Sequence, residues 1–134
     1  MTVKSAFIAA LVWLLLVLLA IANGLIRDKL LAPAIGTTRA LPISGLTLSL
    51  MILIAGYLAV PLFGVPSAAG YLAVGLQWVG MTLAFELLFG RYALRKPWPE
   101  VLRVFNPAHG DLFIVVLAIT FTAPYLAAKI RGIL

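Results

Sequence analysis

LLAIANGLIRDKLLAPAIG, residues 18–36, admits two readings. Ala20-Ile21-Ala22 is an A-x-A triplet at the end of a long apolar run with Lys4 near its start, the pattern of a secretory signal peptide cleaved before Asn23. Alternatively the run is a permanent membrane helix, and Asn23, Arg27 and Asp28 are polar groups at its mouth. The run extends from Ala6 to Ala22 and resumes as Gly24-Leu25-Ile26. At 1.5 Å per residue these roughly 21 residues match a hydrocarbon core of about 30 Å. A signal-peptide core is shorter, about 7–15 residues. The sequence therefore predicts a membrane helix, with the triplet a coincidence of small side chains.

Composition points the same way. The 134 residues are 64% hydrophobic and 10% charged, with a mean hydropathy of +1.16. A soluble domain carries about 25% charged residues, so this chain has too little polar surface to face water all round. The length suits one domain, 1–134. No cysteine is present, which excludes disulfides, thiolate chemistry and Cys-based metal sites. The formal charge is +6. Its basic residues fall between apolar runs, where they meet lipid phosphates and set orientation rather than bind nucleic acid.

The reading is all-α: a four-helix transmembrane bundle with spans at about 6–26, 44–63, 68–90 and 107–128. Pro42 precedes the second span, Ser44 is its expected N-cap, and Gly64 with Pro66 closes it. Ser67 is placed to cap the third span, and Arg91 marks its exit. Only residues 64–67 separate spans two and three, which makes them an antiparallel hairpin. Asn106-Pro107 reads as N-cap and first helical residue of the fourth span, and Pro124 should kink or loosen its last turn. Small residues four apart, Ala20/Gly24, Ala55/Ala59, Gly80/Ala84 and Ala123/Ala127, permit close helix packing.

Residues 27–43 and 91–106 are read as long connections on one side. Within RYALRKPWPEVLRVFN, Pro97 and Pro99 stop the third helix, and a short interfacial helix is expected over Glu100 to Phe105, with Val101, Leu102 and Phe105 apolar. Trp98 is its anchor, and Arg95, Lys96 and Arg103 its contacts to lipid. The two connections hold Arg27, Lys29, Arg39, Arg91, Arg95, Lys96 and Arg103; the opposite side holds Lys4, Lys129 and Arg131. The positive-inside rule then puts both connections in the cytoplasm and both termini outside, as in a bacterial inner-membrane protein.

Glu86 is the one acidic residue inside an apolar run. By helix rise it lies about 27 Å along span three, and Asn23 about 26 Å along span one. Arg27 is one turn beyond Asn23, and Asp111 falls in the first turn of span four, so all reach the cytoplasmic leaflet. Asn23, Arg27, Glu86, Arg91 and Asp111 form the expected cluster, with Arg27 as the partner of Glu86. Two readings follow: a pocket for an ion, a proton, a lipid head group or a small solute, or an ion-pair lock between spans 1, 3 and 4. Gln77 lies deeper and is expected to make an interhelical hydrogen bond. Thr47, Ser49, Thr82, Thr120 and Thr122 are expected to bond carbonyls one turn back, and Trp13 and Trp78 to pack mid-span. His109, the only histidine, has no metal-ligand spacing.

No hydrolase, zinc-protease, P-loop or dinucleotide motif is present. The expectation is a non-enzymatic membrane protein without cofactor or metal. It would serve as an accessory subunit or binding module, in contact with membrane lipids and with copies of itself or other subunits. The alternative is an oligomeric transporter or channel using Glu86 as its intramembrane carboxylate.

Overall fold

The computed structural model describes residues 2–65, 67–106 and 111–134. Every regular element in it is helical, and four helices are long and apolar enough to cross a membrane. Helix α1 (Val3–Ile26) starts at Thr2, whose Oγ1 accepts from the Ser5 N–H at 3.1 Å. It does not stop where polar residues begin. A π-helical turn, Arg27–Leu31, carries it into α2 (Ala32–Ile35), giving one continuous rod over Val3–Ile35. Gly36 then reverses the chain with φ +86, and α3 (Thr37–Phe63) follows at once.

The expected loop 27–43 is thus a helical hairpin with a one-residue turn. Pro33, Gly36 and Pro42 read as loop markers, but only Gly36 acts as one. Pro33 sits at the first or second position of α2, just after the wide π turn, where a missing donor is tolerated. Pro42 lies inside α3, and so does Ser44, which therefore caps nothing. The rod Val3–Ile35 is about 50 Å long by helix rise, about 20 Å more than a hydrocarbon core. Its charged end projects beyond the apolar part.

At the other end Gly64 closes α3 in the left-handed region, φ 63. Ser67 caps α4 (Ala68–Leu88) as expected, accepting from the Gly70 N–H at 3.3 Å. This helix too runs on through a π turn, Phe89–Ala93. The segment expected to lie in the interface is one α turn, α5 (Trp98–Val101), followed by a 3-10 turn, Leu102–Phe105. Its inward residues are Val101, Val104 and Phe105, whereas Leu102 is exposed. α6 (Phe113–Ile130) starts later than expected. Asn106 is extended, Pro107 and His109 lie outside the described residues, and Asp111 precedes the helix rather than joining its first turn. Pro124 is fully buried inside α6, which continues six residues beyond it.

In cross-section α1 packs on α3 and α4, and α6 packs on both α3 and α4 from the opposite side. The half nearest the chain ends, the termini half, is solid. Phe63 and Trp78 meet edge to face at 5.8 Å, and they, Val60, Val74 and Pro124 are all fully buried. Trp78 Nε1 donates to the Ala9 carbonyl at 2.9 Å, and Ser5 Oγ to the Phe63 carbonyl at 2.7 Å. Gln77 Nε2 makes the expected interhelical bond, to the Ala6 carbonyl at 3.0 Å. α4 and α6 approach closely at Gly75, where an added Cβ would run into the Phe121 carbonyl oxygen. Gly56 similarly faces Ala123, while Gly80 has open space. The small-residue spacing therefore located the α6 side of the seam, Ala123 and Ala127, and missed Gly75.

Candidate functional site

The half of the bundle toward the Gly36 turn is hollow. A cavity of about 290 Å³ lies among α1, α3, α4 and α6. Leu16, Ile52, Phe85 and Val116 line its depth, and Asn23, Arg27, Glu86, Lys96 and Asp111 its mouth. Along α1 it reaches from Trp13 to Arg27, about 21 Å of helix rise. Four of the five cluster residues expected from depth counting, Asn23, Arg27, Glu86 and Asp111, thus line one site.

Arg91 does not. Its guanidinium sits over the rings of Tyr92 and Trp98, at 5.9 and 5.8 Å, which ties the end of α4 to α5. Its place in the cavity is taken by Lys96. Arg95 adopts a left-handed backbone, φ 56, and turns the chain so that the Lys96 N–H reaches the Gly90 carbonyl at 3.0 Å. No periodicity predicts that reversal, so Lys96 read as an interfacial contact to lipid. Val104 also lines the cavity, again from an irregular segment.

The expected Glu86–Arg27 pair is not made. Arg27 Nε donates to Asp28 Oδ1 at 2.9 Å, the only ion pair among the described residues. An adjacent carboxylate on the same helix needs no tertiary alignment, and that proximity wins. Glu86, half-buried, has no hydrogen bond or ion pair with a described residue; Asp111, Lys96 and Arg27 are its charged neighbours. Asn23 is engaged elsewhere too: its Oδ1 accepts from Ser44 Oγ of α3. Lys96 makes no side-chain bond to a described residue either.

Asp111 is held by its own backbone, Oδ1 accepting from the Phe113 N–H at 3.0 Å. Burial pushes its carboxyl above the ordinary carboxylate value, against the opposing effects of that hydrogen bond and of Arg27. Farther in, Trp13 Nε1 donates to Thr82 Oγ1 at 3.0 Å. Thr82 is therefore the exception among the hydroxyls: Thr47, Ser49, Thr120 and Thr122 bond carbonyls one turn back as expected. Both π turns start at the level of the mouth, one with Arg27 itself and one at Phe89, three residues after Glu86. Such turns are frequent at functional sites because they re-aim the side chains around them.

The mouth thus offers two cationic and two anionic side chains above an apolar shaft. Among the described residues no group of three His, Cys, Asp or Glu is placed to hold a metal ion. Compared with known proteins, the chain matches no protein-family model, no curated protein and no solved structure.

Proposed function

We propose that this chain is a four-span integral membrane protein that acts as a binding module, holding one small amphiphile in the cavity between its helices. Glu86, Lys96, Arg27 and Asp111 contact the polar head, and the apolar shaft takes what lies behind it. The module works in contact with lipid, as a self-associated bundle or as an accessory subunit of a larger membrane complex. Its termini face outward and the segments 27–43 and 91–106 face the cytoplasm, because seven of the ten basic residues lie there. α5 and its 3-10 turn then lie in the interface, with Trp98, 43% exposed, at the head-group level.

The observation that carries this reading is the one-ended cavity: charged at its mouth, apolar below, and blind. A path through this single bundle would have to cross the termini half, where Phe63, Val74 and Trp78 are fully packed. The alternative, an oligomeric transporter using Glu86, would need its path between copies rather than through this cavity.

The test is to purify the full chain in mild detergent and identify by mass spectrometry what it retains. Ala20 lines the cavity, so Ala20→Phe fills it. The wild type is expected to carry about one amphiphile per chain and Ala20→Phe none. An empty wild type, or equal retention by the variant, overturns the proposal.

A further inference from the structure

We infer that the occupant is a phospholipid with a primary-amine head group, and that its acyl chains leave the cavity sideways between α1 and α4, past Trp13 and Phe85. The inference rests on the cavity reading above and adds the ligand class and the route.

The head group follows from which charged atoms lack partners. Lys96 has none among the described residues, and Arg27 uses only Nε, toward Asp28. A guanidinium has five donors, so Arg27 and Lys96 together can bind a phosphate, which both residue types recognise. Glu86 has no partner among the described residues, and Asp111 uses one oxygen, toward Phe113. Two carboxylates facing the same space suit a group with several N–H donors and a positive charge. A primary ammonium supplies three such donors. A glycerol head would bring the carboxylates no cation of its own while its phosphate competes for Arg27 and Lys96, and a quaternary ammonium has no N–H to give them.

The route follows from volume and from the α1–α4 seam. About 290 Å³ is at the small end of ligand sites, roughly 300–1,000 Å³. It holds a head group but not two acyl chains, which must lie outside. A second hollow of about 540 Å³, bordered by Met81, Ala84, Leu88 and Tyr92, lies on the outer face of the same seam. Trp13 and Phe85 line both spaces, their rings edge to face at 6.1 Å. The hydrogen bonds joining α1 to α4 are Gln77–Ala6, Trp78–Ala9 and Trp13–Thr82. From Thr82 toward the mouth, none joins the two helices among the described residues. Two aromatic side chains, one tethered by a single hydrogen bond, are thus the wall between cavity and lipid-facing groove. Rotating side chains opens such a wall without moving a helix.

The experiment titrates the full chain in detergent, followed by native mass spectrometry. The ligands are phosphatidylethanolamine, phosphatidylglycerol and phosphatidylcholine of identical chains, and water-soluble glycerophosphoethanolamine. Phosphatidylethanolamine should bind at least tenfold tighter than the other two lipids, and Glu86→Gln with Asp111→Asn should abolish that preference. Ala84→Trp fills the outer groove. It should weaken phosphatidylethanolamine binding at least tenfold and leave glycerophosphoethanolamine binding unchanged; Leu88→Trp replaces it if it does not fold. Equal binding of the three lipids, or a preference for phosphatidylglycerol, overturns the head-group assignment. Equal effects of the groove variant on lipid and on soluble fragment overturn the sideways route. Recovery of an unrelated amphiphile from the purified wild type sinks the lipid inference but keeps the cavity reading, whereas an empty cavity sinks both.

Discussion

Arg27 and Glu86 line the same cavity without pairing, because the Arg27 Nε is bonded to Asp28 next to it. Charge and depth alone would have joined them. Their separation is what leaves a carboxylate and most of a guanidinium facing a shared space, and a site differs from a lock in that respect. Removing one member of a buried ion pair leaves the other uncompensated, at a cost of about 3–5 kcal/mol. Removing a residue that pairs with nothing leaves no such orphan.

Glu86→Gln and Arg27→Gln should accordingly couple only weakly in stability. In detergent melting experiments the double variant should depart from the sum of the singles by less than about 1 kcal/mol, the size of a screened attraction between charges that share a cavity without pairing. A coupling clearly larger than this would mean that the two residues do pair, and the site would be an ion-pair lock.

Gly75 offers a sharper packing test. A methyl group there would overlap the Phe121 carbonyl oxygen, which is backbone and cannot swing aside. Gly75→Ala must push α4 and α6 apart and should cost about 3 kcal/mol or more, at the upper end for overpacking. Gly80→Ala, with open space around it, should be neutral or stabilising by up to about 1 kcal/mol, as expected for glycine replaced in a helix. Equal melting temperatures for the two variants would contradict the helix crossing described above.

These two positions also mark how far the sequence could be read. Apolar run length located all four helices, because the number of residues needed to cross a hydrocarbon core is a one-dimensional property. Helix rise brought Asn23, Glu86 and Arg27 to one level for the same reason. What distance along a helix cannot give is azimuth, the direction a side chain faces. Gly75 and Gly80 are equally small, yet only one meets α6. Arg91 and Lys96 are equally basic, yet a left-handed residue at Arg95 sends only Lys96 into the cavity. Proline was misleading at Pro33 and Pro42, where the helical hairpin absorbs the missing donors and only Gly36 breaks the chain.

Thr82→Val should expose the single tether of Trp13. Valine keeps the shape but removes the acceptor 3.0 Å from Nε1. The indole lies only 9% exposed, so its N–H would be left without a partner, at about 1–3 kcal/mol. Trp13→Phe removes the donor itself, so adding Thr82→Val to it should cost clearly less than Thr82→Val alone. If the threonine costs the same in both backgrounds, the hydrogen bond contributes nothing.

Asp111 makes stability depend on pH in the opposite sense to a salt-bridged carboxylate. Its pKa in the folded chain is raised above the ordinary 3.8, chiefly by burial. Between the unfolded and folded values the folded chain binds the extra proton, so stability is fully present below about 3.9 and declines as pH rises through the folded value. Asp111→Asn keeps an oxygen for the Phe113 N–H and carries no charge. Its melting temperature should exceed the wild type at pH 7, and the two should converge toward pH 4. A variant less stable than wild type at pH 7 would mean that the ionised carboxylate is stabilised by its surroundings.

Topology can be tested without disturbing the core, because the chain has no cysteine and any single one introduced is unique. Thr38 lies on the exposed hairpin two residues from its tip, Leu94 is exposed beyond the π turn of α4, and Ile133 follows α6 at the opposite end. The first two sit among Arg27, Lys29, Arg39, Arg91, Arg95, Lys96 and Arg103, and the third near Lys129 and Arg131. On the proposed orientation, which rests on the basic excess, the first group is cytoplasmic. In intact cells a membrane-impermeant maleimide should label Ile133→Cys and leave Thr38→Cys and Leu94→Cys untouched, with all three labelled after permeabilisation. Labelling of Thr38→Cys and Leu94→Cys in intact cells, with Ile133→Cys silent, would invert the protein. The cavity mouth would then open outward, and any ligand would reach it from the outer leaflet. Labelling of all three in intact cells would mean that the four apolar helices do not cross a membrane as a bundle at all.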